Sequence, residues 1–171
     1  MIATTPAGAL FSVDRKYRYA LWRVWDSSKP KVMLVGLNPS TAAENKNDPT
    51  ISRLVGPSGL LGKKYGGFIM TNLFGFVTPH PEDLITCEDP ISETDMHMHS
   101  AWAHASDVIF CWGNFREAYK KVTVIPDRGY DMSRADQVIE KYPNALCFGK
   151  NFNGSPKHPL YLKGGTKLVK F

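Results

Sequence analysis

Three polar side chains stand where apolar runs of the sequence end. Asn38 lies in Gly36-Leu37-Asn38-Pro39-Ser40-Thr41-Ala42, Asn72 follows Phe68-Ile69-Met70-Thr71, and His158 opens His158-Pro159-Leu160-Tyr161-Leu162. A carboxamide both donates and accepts hydrogen bonds and an imidazole titrates near neutrality, so such a set can hold a polar ligand and respond to its charge. Each residue also has a structural reading. Asn before Pro is a turn former. Asn72 must bond either to backbone or to a ligand, because burying its amide unpaired costs roughly 1 to 3 kcal/mol. His158 before Pro159 could simply end a strand. Asp48, in Asn47-Asp48-Pro49-Thr50, reads as a helix cap or as a carboxylate available for chemistry.

Other constellations fail on spacing. Gly56-Pro57-Ser58-Gly59-Leu60-Leu61-Gly62-Lys63-Lys64 approaches a phosphate loop, but its glycines are one residue too far apart and Lys64 replaces the magnesium-holding hydroxyl. His97, His99 and His104 lack a Cys or acidic partner at ligand spacing, so no metal is expected. No Gly-x-Ser-x-Gly elbow occurs, which argues against serine hydrolysis. Cys87, Cys111 and Cys147 are scattered and read as buried thiols of a reducing cytoplasm.

The elements that must carry these residues follow from periodicity. Apolar runs at 32–37, 68–74, 108–112 and 145–148 read as strands buried on both faces. Connections of about thirty residues suit crossover helices and a parallel sheet, not hairpins. Helical spacing joins Met98, Ala101, Trp102 and Ala105; Phe115, Ala118, Tyr119 and Val122; and Ala135, Val138, Ile139 and Tyr142. Ser133 and Asp136 offer a cap for the last of these. Residues 51–61 predict one short helix and a loop, since Pro57 and Gly59 interrupt the pattern. Residues 1–30, containing RKYRYALWRVW, predict an N-terminal arm or added strands. Ligands of an open parallel sheet bind beyond the carboxyl ends of its strands, which is where Asn38, Asn72 and His158 would gather.

The 171 residues, 43% hydrophobic and 22% charged, fit one α/β domain over 1–171 and argue against disorder or a coiled coil. No apolar stretch is long enough for a membrane helix and the start lacks a basic region, so a cytoplasmic protein is expected. A net charge of +5 and a pI near 9.1 suit a polyanionic partner, DNA or a nucleotide.

Through RYALWRVWD, GLNPSTA, NDPTISR, TNLFGF, the WGN segment and GSPKHPLYL, residues 17–171 resemble the bacterial and phage family called domain of unknown function 1643. More distantly, the order of motifs is similar to the uracil-DNA glycosylase superfamily. That resemblance implies a three-layer α/β sandwich with a four-stranded parallel central sheet, order 2-1-3-4, and an N-glycosylase acting on a uracil-like or modified base in DNA without cofactor or metal. Asn38 would position the attacking water within the base-pocket loop of Gly36, Leu37, Pro39 and Ser40. Asn72 would read the Watson–Crick edge of a flipped base, and His158 would bond its carbonyl. Leu160 or Tyr161 would wedge into the duplex, while Arg53, Lys150 and Lys157 are candidates for phosphate contacts. The superfamily's stacking aromatic is missing after Asn38, so Phe74, Tyr65 or Phe76 would replace it. The acidic residue of its most active branch is missing at 38, which points to Asp48, to slow chemistry or to a good leaving group. The alternatives are a non-enzymatic binder of modified or single-stranded DNA and an enzyme of free nucleotides.

Overall fold

The computed structural model describes residues 5–114 and 133–171; the helix expected from Phe115, Ala118, Tyr119 and Val122 lies outside them. Strands β1 (Ala7–Phe11), β2 (Arg18–Val24), β3 (Lys31–Gly36), β4 (Gly67–Asn72), β5 (Asp107–Phe110), β6 (Leu146–Cys147) and β7 (Val169–Lys170) form a single sheet. Its order is β1-β2-β4-β3-β5-β6-β7.

The expectation of a four-stranded parallel central sheet ordered 2-1-3-4 is therefore corrected: the sheet is seven-stranded and mixed. β4, β3, β5 and β6 pair in parallel, whereas β1 with β2, β2 with β4, and β6 with β7 pair antiparallel. A parallel sheet that stopped at β4 and β6 would leave rows of unpaired N–H and C=O groups at both edges. β2 covers the first edge and β7 the second. β1 and β2 lie within residues 1–30, read above as an arm or added strands, whereas β7, only two residues long, leaves no pattern in the sequence.

Alternation along the strands feeds a core on each face. From β3, Val32 and Leu34 pack with Ile51, Leu54, Leu61 and Tyr65 on one side. Met33 and Val35 pack with Met98, Ala101, Ala135 and Val138 on the other. Helix α1 (Pro49–Leu54) thus covers the first face, and α2 (Thr94–Trp102) and α3 (Arg134–Lys141) the second. Asp48 caps α1 by accepting the Ile51 N–H at 2.8 Å, with Pro49 opening the first turn. Ser133 caps α3 through the Asp136 N–H at 3.2 Å. A short 3-10 turn, Pro159–Tyr161, follows β6 and rests against α1. Among the described residues, no helix is long and apolar enough to cross a membrane.

Candidate functional site

The carboxyl ends of β3 and β4 and the segment after β5 open onto a cleft of about 470 Å3. Gly36 closes β3, Asn72 closes β4, and Cys111, Trp112 and Gly113 follow β5. Asp48 comes from the start of α1 and His158 from the start of the 3-10 turn. Because β2 runs antiparallel to β4, its first residue, Arg18, arrives at the same edge.

Asn38 presents a carbonyl. Its Nδ2 donates to the backbone oxygens of Pro39 at 2.9 Å and Thr78 at 2.8 Å, which fixes which end of the amide is nitrogen. Oδ1 has no protein partner among the described residues. Asn38 thus serves both readings, holding a loop and leaving one acceptor in the cleft.

Asn72 brings a carboxamide to the cleft. It is 3% exposed, and its Nδ2 is buried without a hydrogen-bond partner. Its amide lies against Gly36, its partner in the parallel register, so closely that a Cβ at Gly36 would come 2.8 Å from Asn72 Oδ1. A glycine at the end of β3 is what allows the carboxamide this position.

His158 Nδ1 accepts the Leu160 N–H at 3.3 Å, so the neutral ring carries its proton on Nε2. Burial lowers the pKa of the imidazole, and the Asp48 carboxylate opposes that shift, so His158 is a neutral donor at pH 7. Arg18, 3% exposed, gives one bond from Nη1 to the Ala42 carbonyl at 2.7 Å, and its Nε is buried without a partner. Burial lowers its pKa to about 10, with Arg23 adding to the shift and Asp48 opposing it, so the guanidinium stays charged at neutral pH. Trp112 Nε1 is also buried and unpartnered. Cys111, wholly buried, has its pKa pushed up to about 12 and is a neutral, unreactive thiol.

The cleft therefore brings together Gly36, Leu37, Asn38, Ser40, Asp48, Asn72, His158, Leu160 and Tyr161 from among the residues expected by sequence. Pro39 is buried beside it and contributes through its carbonyl. Phe74 does not belong: it is 1% exposed and packs in the core, because the chain bends after Asn72 and the Phe74 N–H bonds the Leu37 carbonyl. Tyr65 and Phe76 lie outside the lining as well. Arg53 lies outside the cleft lining; its Nη2 donates to the Leu162 carbonyl and ties the 3-10 turn to α1, while its Nε is buried without a partner. Lys150 and Lys157 are exposed and outside the cleft, with Lys150 Nζ 4.5 Å from the Phe171 ring centre.

Arg18, Trp112 and Thr78 are among the cleft residues that sequence reasoning missed. A cation inside the apolar run Tyr17–Trp22 was the available signal for Arg18. Phe152 was missed too: it stands fully exposed on a turn closed by the Asn151 N–H to the Ser155 carbonyl at 2.8 Å. Its neighbour Asn153 donates to Asn114 on the cleft rim at 2.9 Å. Among the described residues, no group of three or more His, Cys, Asp or Glu is placed to hold a metal ion.

The molecule is an α/β protein with a donor-rich cleft at the carboxyl edge of its parallel strands. A family model, Protein of unknown function (DUF1643), matches residues 18–160, and the chain belongs to that family. Comparison with curated proteins and with solved structures found no match.

Proposed function

We propose that the cleft binds a nucleobase and that the chain cleaves the N-glycosidic bond of a uracil-like or modified base in DNA, like the uracil-DNA glycosylase superfamily that its motifs resemble. The observation that supports this most is the unpartnered Nδ2 of Asn72, held in one cleft with the free carbonyl of Asn38 and the neutral imidazole of His158. In this reading Asn72 pairs with the edge of a base flipped from the stack. Asn38 Oδ1 accepts a hydrogen from the attacking water. His158 Nε2–H donates to a base oxygen whose negative charge grows as the bond breaks, so its contact strengthens in the transition state. Leu160 and the exposed Tyr161 on the rim, with Phe152 nearby, suit the wedge, and Lys150 and Lys157 suit phosphates.

A non-enzymatic base binder is the second reading, favoured by the Asp48 oxygen already committed to capping α1. Oligonucleotides carrying uracil, mispaired thymine or hypermodified pyrimidines separate the two. Base-specific strand breaks after alkali support the enzyme, binding without breaks supports the binder, and the absence of both breaks and binding refutes the DNA reading.

A further inference from the structure

We propose that Arg18 is an anion-binding residue of the cleft and that the ligand carries a phosphate seated against its guanidinium. The inference rests on the nucleobase reading for the identity of the ligand, and not on bond cleavage.

Two arginines of β2 are almost wholly buried, Arg18 at 3% and Arg23 at 6% exposed. Arg23 is used by the fold: it donates to the Asn47 side chain and to the carbonyls of Gly8, Trp22, Ala43 and Lys46. Arg18 reaches only the Ala42 carbonyl, although a guanidinium has five N–H donors. Its Nε is buried without a partner, and no carboxylate lies within ion-pair distance of it among the described residues. A buried cation in that condition is unfavourable until an acceptor of opposite charge completes it.

Its position identifies where the acceptor goes. The Arg18 N–H bonds the Gly75 carbonyl at 2.9 Å, so the residue lies beside the chain just beyond Asn72, and its side chain lines the cleft. The charged groups that act on it are Asp48 and Arg23, so one acid faces two cations and part of the positive charge is left over. The planar fork of Arg matches an oxyanion with two oxygens, and phosphate is the oxyanion that accompanies a nucleobase. That phosphate could belong to a free nucleotide or to a DNA strand.

Calorimetric titration of the full chain with inorganic phosphate, deoxyuridine, deoxyuridine monophosphate and a single-stranded oligonucleotide containing one deoxyuridine tests the proposal. The monophosphate should bind at least about tenfold more tightly than the nucleoside, and Arg18→Met should erase that difference. If circular dichroism shows that Arg18→Met does not fold, Arg18→Lys, which keeps charge but loses the fork, should narrow it. Asp48→Asn keeps a good helix cap while removing the opposing charge, and should tighten phosphate binding several-fold. Equal binding of nucleoside and monophosphate, or a difference that survives in the folded Arg18 variant, overturns the proposal. Tighter binding of the oligonucleotide assigns the phosphate to DNA, and tighter binding of the monophosphate assigns it to a free nucleotide. Arg18-dependent phosphate binding without any response to the nucleoside would leave the anion site standing and refute the nucleobase reading. An absence of abasic product bears on cleavage alone.

Discussion

Replacing Gly36 by alanine tests whether the placement of the Asn72 amide matters to function. The new methyl would lie 2.8 Å from Asn72 Oδ1, while its next neighbours, Met70 Sδ at 3.5 Å and the Thr71 carbonyl at 3.8 Å, are at ordinary contact. The carboxamide must therefore retreat by about 0.6 Å to reach the 3.4 Å at which ordinary contact begins. It is the end of a side chain, and its Nδ2 has no bond to lose, so the fold should yield there at the low end of overpacking costs, about 1 kcal/mol. For a chain of this length that is a fall in Tm of roughly 2–4 °C. Recognition should suffer more, because productive sites tolerate about 0.5 Å of misplacement and a shift of about 1 Å costs on the order of a hundredfold. We expect Gly36→Ala to weaken binding of a uracil-containing oligonucleotide by about tenfold or more in fluorescence anisotropy, with a near-native unfolding curve. Gly164→Ala, where a Cβ meets nothing within 4 Å, is the control and should change neither. Wild-type affinity in Gly36→Ala would remove Asn72 from the binding site. A collapse of Tm would mean that the amide cannot move and that Gly36 serves packing.

Asn38→Ala and His158→Ala should each lower the single-turnover rate by roughly tenfold or more with DNA affinity nearly unchanged, because their contacts strengthen in the transition state; weakened affinity at an unchanged rate would refute those roles. Asn72→Asp exchanges a donor for an acceptor and should alter which base is preferred in a competition assay before it alters the rate with the best base. Burial lowers the His158 pKa in the folded state, so as pH falls the unfolded chain takes up that proton first; the wild-type Tm should therefore drop more steeply than that of His158→Gln below the ordinary imidazole range, and the two should run parallel above it. Lys157→Glu should reduce the magnitude of the log–log salt slope of DNA binding by roughly one, and an unchanged slope would exclude Lys157 from the phosphate contacts.

What the sequence discloses is local. β3 and β4 are legible because their side chains are buried on both faces, leaving continuous apolar runs, and Asn38, Asn72 and His158 are legible because each adjoins the end of a strand or a proline turn. β2 is legible only as an added strand within residues 1–30; its place in the sheet is not, because pairing with β4 joins residues far apart in the chain and no local pattern encodes it. Arg18 was hidden for the same reason: only antiparallel pairing carries the first residue of β2 to the carboxyl edge of β4. Phe74 shows the converse error. Residue type suggested a stacking ring, yet a bend after β4 turns it into the core.

The cleft also constrains how a bond could be broken in it. Cys111 is the soft nucleophile within reach, but with its pKa raised to about 12 by burial almost none of it is thiolate at neutral pH, so a covalent thioether step is disfavoured. Water is then the nucleophile of the proposed reaction, and two cleft residues offer a side-chain oxygen not used by the fold: Asn38 through Oδ1, and Asp48 through the oxygen that does not cap α1. They differ in kind. In the proposed reaction Asn38 would orient a water without taking its proton, which suffices only when the departing base leaves readily, whereas Asp48 would take the proton at the cost of its attraction to Arg18. In the proposed reaction the donors of Asn72 and His158 would act on the opposite partner, the departing base, while Arg18 would hold a phosphate that stays on the sugar. If the chain cleaves the N-glycosidic bond as proposed, a cleft with weak means to activate water and strong donors for the base would lower the barrier chiefly from the leaving-group side, and the choice of base should then govern the rate more than any single substitution around the water.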